Sequence, residues 1–144
     1  SSTQRAASAL LLASGVAVYG LRRRSLDASG ARAALLVGAV TIYTGAMHAA
    51  VLLGFFVASS ALTKYKSAVK RRLEEDFKEG GQRNYVQVLA NGGVPTLLCA
   101  AALAVPQPER LATALAGAFV AYYACCCGDT WASELGTSSA STCR

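Results

Sequence analysis

The chain's densest group of chemically able residues is the run GDTWASELG at residues 128–136. Asp129 and Glu134 are hard oxygen donors of the kind that hold a divalent cation, and Thr130 and Ser133 offer hydroxyls to a phosphate or to metal-bound water. The run follows directly on residues 111–127, which carry no charge. Polar groups crowded where an apolar helix meets water are costly to desolvate and usually serve a ligand or an ion. A second run, KEGGQRN at residues 78–84, sets Lys78 and Arg83 around Gly80 and Gly81. Cations beside exposed backbone N–H groups suit a phosphate, although paired glycines are also the ordinary stop of a helix. Asn91 opens a third segment of this kind, Asn91-Gly92-Gly93-Val94-Pro95, inside an apolar stretch.

The elements that must position these residues are apolar. Of the 144 residues 53% are hydrophobic and 15% charged, against about 25% charged in an ordinary soluble domain. Four stretches stand out, at residues 6–21, 33–62, 85–105 and 111–127, separated by polar loops at 63–84 and 128–144. They predict a single all-α, multi-pass transmembrane domain. Residues 6–21 read as a first span rather than a signal-peptide core, because no small-residue cleavage site separates them from Arg22. Residues 33–62 would make about 45 Å of continuous helix, too long for one upright crossing of a core of about 30 Å. Both flanking loops are basic, so a hairpin turning near Met47-His48 keeps them on one side of the membrane. His48 is then a half-solvated residue at a hairpin tip, more plausibly than an intramembrane ligand.

Residues 64–79 read as an amphipathic helix at the membrane interface. Tyr65, Val69, Leu73 and Phe77 recur every four positions, while Lys70/Glu74, Arg71/Glu75 and Arg72/Asp76 are opposite charges at i,i+4. The Asn91–Pro95 segment has two readings. It is either broken backbone lining a cavity or the boundary between an interfacial segment and a deep one.

The net charge is +6, from 14 basic and 8 acidic residues. Because the basic clusters border apolar runs, anionic lipid headgroups and the positive-inside bias account for them, and nucleic acid is not expected as a partner. The five cysteines form neither a disulfide framework nor a zinc motif. Cys125, Cys126 and Cys127 read as small packing residues of a membrane helix.

Two blocks resemble the transmembrane protein 19 family, which includes plant phytyl-phosphate kinases. One runs from Thr63-Lys64-Tyr65-Lys66 through residues 76–84 to Asn91–Thr96, and the other is the GDTWASELG run. The resemblance covers residues 33–136 and implies a multi-pass helical protein. It also implies phosphoryl transfer to a prenyl phosphate from CTP or ATP with Mg²⁺. On that reading Asp129 and Glu134 hold the metal, and Thr130 and Ser133 contact phosphate or metal-bound water. Lys78, Gly80, Gly81, Arg83 and Asn91 bind substrate or nucleotide phosphates, and the prenyl tail lies among the spans. The setting would be the plastid envelope or an endomembrane. Family members continue past the second block into another glycine-rich segment and further helices, so the expectation is a truncated chain, inactive alone. The rival expectation is a non-catalytic membrane protein that binds lipid or serves a transporter-like assembly.

Overall fold

The computed structural model describes residues 2–73, 82–104 and 108–140, with backbone alone at residues 67, 69–73 and 134–140. Among these residues the chain forms helices α1 (Ser2–Arg22), α2 (Ala28–Thr44), α3 (Ala46–Leu73), α4 (Tyr85–Ala104) and α5 (Glu109–Ala140). The fold is all-α and multi-pass. Segments long and apolar enough to cross a membrane are Ala46–Lys66, Tyr85–Ala104 and Glu109–Ser133, while α2 is a shorter apolar helix and α1 is not among them.

The distribution of side chains is that of a protein solvated by lipid. Ala9, Ala13, Ala17, Ala31, Thr41, Ser59 and Cys99 are buried, whereas Leu11 is 74% and Leu97 70% exposed. Lipid tails are as apolar as leucine, so helices in a membrane gain from close contact of small residues rather than from hiding large ones. The contact of α1 with α2 shows this. A Cβ on Gly38 would stand 3.2 Å from that of Ala13, so the two helices meet where their side chains are smallest.

α2 lies at the centre, with α1, α3 and α4 packed on it and α5 closing against α3 and α4. Between α2 and α3 the chain breaks at Gly45, which stands extended. α3 then runs back along α2, bringing Phe56 against the cluster of Ala17, Leu26 and Ala31. The turn thus falls two residues ahead of Met47-His48, and His48 sits edge-on to Phe119, with ring centres 4.7 Å apart.

Two segments expected to leave the apolar helices instead prolong them. α3 continues through Lys64 to Leu73, because no glycine or proline interrupts it after Gly54. The expected interfacial helix is therefore a continuation of α3 as far as Leu73, and its remainder lies outside the described residues. Residues 128–140, expected as a polar loop, are helical and belong to α5. Isolated glycines such as Gly128 and Gly136 cost a helix only about 1 kcal/mol each, too little to stop one already carried by a long apolar segment. α4 also runs unbroken through Asn91–Pro95. Pro95 supplies no N–H, so the Asn91 carbonyl loses its helical donor. One residue on, Thr96 Oγ1 donates to the Gly92 carbonyl at 2.6 Å.

Candidate functional site at the basic end of the bundle

Helix direction decides which sequence segments meet. α3 and α5 run parallel: His48 touches Phe119 and Phe55 touches Tyr123, and further along Leu62, Tyr65 and Trp131 line one groove. α4 runs against α5, tied where Tyr122 Oη donates to the Ala90 carbonyl at 2.7 Å. From that contact Asn84 lies six residues back along α4 and Gly128 six residues forward along α5, each about 9 Å toward the same end. Residues 82–84 and the start of the GDTWASELG run therefore reach one level. Arg22, Arg23 and Arg24 arrive at this end too, because Leu26 pairs with Arg83 in a parallel bridge. Exposed Tyr19, Tyr65, Tyr85 and Trp131 stand around it, as interfacial aromatics do.

The basic end is built by interlocked backbone bonds. α1 closes with Arg24 N donating to Leu21 O and Ser25 N to Gly20 O. This is the double bond of a Schellman turn, with Arg24 rather than glycine in the left-handed position at φ 53°. Arg83 N then donates to Ser25 O at 3.0 Å, and Asp27 N to Arg83 O at 3.1 Å. The Asp27 carboxylate caps α2, accepting from Gly30 N and Ser29 Oγ, each at 2.7 Å. Ser29 Oγ in turn accepts from Tyr85 N at 3.1 Å, the first residue of α4. Asn84 and Gln87 cap α4 reciprocally, Asn84 N donating to Gln87 Oε1 and Gln87 N to Asn84 Oδ1. Donation by the Gly30 backbone first, then by Ser29, holds the Asp27 carboxyl below the usual carboxylate range.

The N-termini of α2 and α4 thus lie side by side, and both direct positive dipole ends to the end that carries the arginines. Such an arrangement attracts anions. Arg83 is half-buried, its backbone fixed by the bridge and its side chain at the rim of a crevice in the bundle.

On α5, Asp129 is exposed, Thr130 half-buried, and Ser133 Oγ donates to the Thr130 carbonyl at 3.1 Å. Helical geometry groups these residues differently from the expectation. Positions four apart share a face, which pairs Asp129 with Ser133 and Thr130 with Glu134. Positions five apart diverge by about 140° at 3.6 residues per turn, so a regular helix does not aim Asp129 and Glu134 at one ion. Among the described residues no three His, Cys, Asp or Glu side chains form a metal cage. One exposed carboxylate flanked by hydroxyls does fit magnesium that takes its other oxygens from phosphate and water. Lys78, Gly80 and Gly81 lie outside the described residues. Asn91 lies eight residues beyond Arg83, roughly 12 Å deeper along α4, too far to share a phosphate with it.

Sequence reading passed over Asp27, Ser29, Asn84 and Gln87, although Asp-x-x-Gly and Asn-x-x-Gln ahead of apolar runs are legible cap signals. It also passed over Tyr123, which no local pattern distinguishes from Tyr122.

Apolar helices bearing a basic, helix-capped end at the interface define an integral membrane protein. The chain belongs to the family of integral membrane protein DUF92, whose sequence profile matches residues 11–144. It is 42% identical over 140 residues to Protein PGR of Arabidopsis thaliana, an alignment covering 91% of this chain and 49% of that protein. The chain spans about half the length of this curated relative. Both matches support the resemblance at the level of a membrane family of the transmembrane protein 19 type, and neither name states a kinase activity. No solved structure matches the chain significantly.

Proposed function

We propose that the protein is part of an isoprenoid-phosphate kinase that transfers a nucleotide phosphoryl group to a prenyl phosphate at the basic end of the bundle. The supporting observation is the meeting of residues 82–84 and the Asp129 segment at one level, beside two helix N-termini and the arginine cluster. Phosphoryl transfer asks mainly for positioning and charge neutralisation. Arg83 would grip a phosphate, with Lys78, Gly80 and Gly81 completing the cradle. Asp129 would hold magnesium between itself and the phosphates of CTP or ATP, Thr130 and Ser133 would bind phosphate oxygens, and Glu134, on another face, would act on a separate group. The plastid envelope or an endomembrane is the proposed setting.

The test is phosphoryl transfer by the full-length membrane protein on a panel of prenyl phosphates with CTP and ATP. Asp129→Asn should abolish turnover while leaving membrane insertion intact, because asparagine keeps the size but loses the charge that a magnesium ligand supplies. Near-normal turnover of Asp129→Asn at limiting magnesium would remove this residue from the site. A second reading, lipid binding without catalysis, draws on a different observation: a narrow apolar crevice between the helices, lined by Leu26, Ala34, Val37, Phe55, Phe56 and Tyr123.

A further inference from the structure

α5 presents different faces to its two neighbours. Tyr122 bonds to α4, and Asp129 follows it by seven residues, close to two full turns, so Asp129 stands on the α4 side. On the other side Phe119 and Tyr123 pack against His48 and Phe55 of α3. Thr130 follows Tyr123 by seven residues and Lys66 follows Phe55 by eleven, about three turns. Thr130 and Lys66 therefore lie on the seam where α3 meets α5. Along that seam the aromatic rings give way to Ser59, Thr130 and Lys66 toward the basic end. Lys66 is half-buried where Lys64 is exposed. Helical side chains lean toward the start of their helix, so Lys66 leans back along the seam toward Thr130, which lies about 6 Å nearer the Gly45 end. Ser59, a further turn down, is fully buried and its hydroxyl has no hydrogen-bond partner. A half-buried cation above two hydroxyls suits an anion rich in acceptor oxygens.

Beside the seam runs a groove of about 420 Å³, lined by Ala58, Ala61, Leu62, Tyr65 and Trp131. Ligand pockets commonly measure roughly 300–1,000 Å³. The groove follows α3 for about 10 Å, from Ala58 to Tyr65. Tyr65 is 64% and Trp131 48% exposed, so the groove opens sideways to lipid, and its outer end has the rings that belong at headgroup level. That outer end comes out beside Lys66 and Thr130, the chain neighbours of Tyr65 and Trp131. An apolar groove reached from the bilayer and ending at a cation and hydroxyls complements an amphiphile with one chain and an anionic head.

We infer that the groove between α3 and α5 seats the phosphoryl acceptor, a single-chain lipid phosphate, with its chain along Ala58, Ala61 and Leu62 and its phosphate at Lys66 and Thr130. The acceptor's identity rests on the kinase reading, which the groove deepens by dividing the substrates between the two sides of α5. The lipid phosphate lies on the α3 side, and the nucleotide lies with Asp129 and Arg83 on the α4 side. An oxygen of the acceptor's phosphate dianion attacks the γ-phosphorus of the nucleotide, and the bond from that phosphorus to the bridging oxygen breaks. A lipid diphosphate forms and a nucleoside diphosphate leaves; the dianion has no proton to lose.

The experiment is equilibrium binding of radiolabelled geranyl phosphate to the full-length protein in nanodiscs, against empty nanodiscs, without nucleotide or magnesium. Saturable binding above the empty-disc level is expected, with geraniol and inorganic phosphate each competing at least tenfold less well than unlabelled geranyl phosphate. Lys66→Gln should weaken binding about tenfold, and Lys66→Arg, which keeps the charge, should restore most of it. Ala61→Phe, a change on the lipid-facing side of α3, should fill the groove and abolish saturation. Leu97→Phe, equally lipid-facing but on α4, should leave binding as it is. Binding no greater than to empty discs would overturn the inference, as would binding unaltered by both Lys66→Gln and Ala61→Phe. Equal competition by geraniol would remove the phosphate from the assignment, and equal competition by inorganic phosphate would remove the chain. No phosphoryl transfer is measured, so loss of the groove and loss of the kinase reading are separate results.

Discussion

Asp27 ties together segments that are far apart in the chain. Its carboxylate caps α2 and orients Ser29, whose hydroxyl receives the first N–H of α4, while its own N–H holds the Arg83 carbonyl. The bonds from Gly30 and Ser29 lower the Asp27 pKa in the folded protein. A carboxyl more acidic folded than unfolded contributes stability that is present above the unfolded value, ~4 for Asp. That contribution is lost as pH falls through the depressed folded value. Asp27→Asn keeps an acceptor oxygen but cannot titrate. In thermal unfolding in detergent, the native protein should exceed Asp27→Asn by a constant margin above the ordinary carboxylate range, and the margin should shrink below it. A margin that stays flat through the acid range would separate the cap from the charge.

At the scale of the helices, close approach at glycine sets which elements meet. A Cβ on Gly30 would strike the Arg83 carbonyl, so α2 reaches the start of α4 only because that position has no side chain. Gly30→Ala should destabilise the bundle by about 1–3 kcal/mol, the usual cost of forcing extra volume into a filled site. Gly117, in α5, has open space around it, and Gly117→Ala should be neutral or stabilising by roughly 0.5–1 kcal/mol through helix propensity. Parallel melting of the two variants in one detergent decides the matter. Equal effects would mean that the seam between α2 and residue 83 is not a filled contact. The same closeness fixes the Arg83 backbone, which donates to Ser25 and accepts from Asp27.

For the whole molecule, the parallel course of α3 and α5 puts the two motif-bearing segments at one end and the Gly45 turn at the other. Single cysteines at Gln82 and Ala132, introduced into a cysteine-free background, should be labelled from the same side of sealed vesicles, and one at Met47 from the opposite side. Labelling of Gln82 and Ala132 from different sides would break both the topology and the shared site. Small residues line the contact of α1 with α2, whereas Tyr123, Phe119 and Phe55 fill the contact of α3 with α5, and most large leucines face outward. At Gly38 and Gly92 the neighbouring helices come too close for a side chain, a Cβ on Gly92 standing 2.8 Å from Val37 Cγ1.

Much of this was legible in the amino-acid order. Apolar runs of spanning length, the shortage of charge and the basic borders of those runs determine an all-α membrane protein, because the bilayer demands internally bonded backbone over a set length. The excess length of residues 33–62 forecast a turn near its middle, found at Gly45. Where polar composition implied a separate interfacial helix over residues 64–79 and a loop from residue 128, α3 continues as far as Leu73 and α5 to Ala140, because cooperativity carries a helix past residues that would not start one. That continuation separates Asp129 from Glu134 by a rotation about the helix axis that a list of residues does not contain. Which helices touch was decided only by tertiary packing: the bridge of Leu26 to Arg83, the meeting of Asn84 and Gly128 at one level, and the burial of Tyr123 against Phe55 and Phe119. Long-range contacts arise from shape fit between small-residue faces, and local sequence carries no record of the face each will meet.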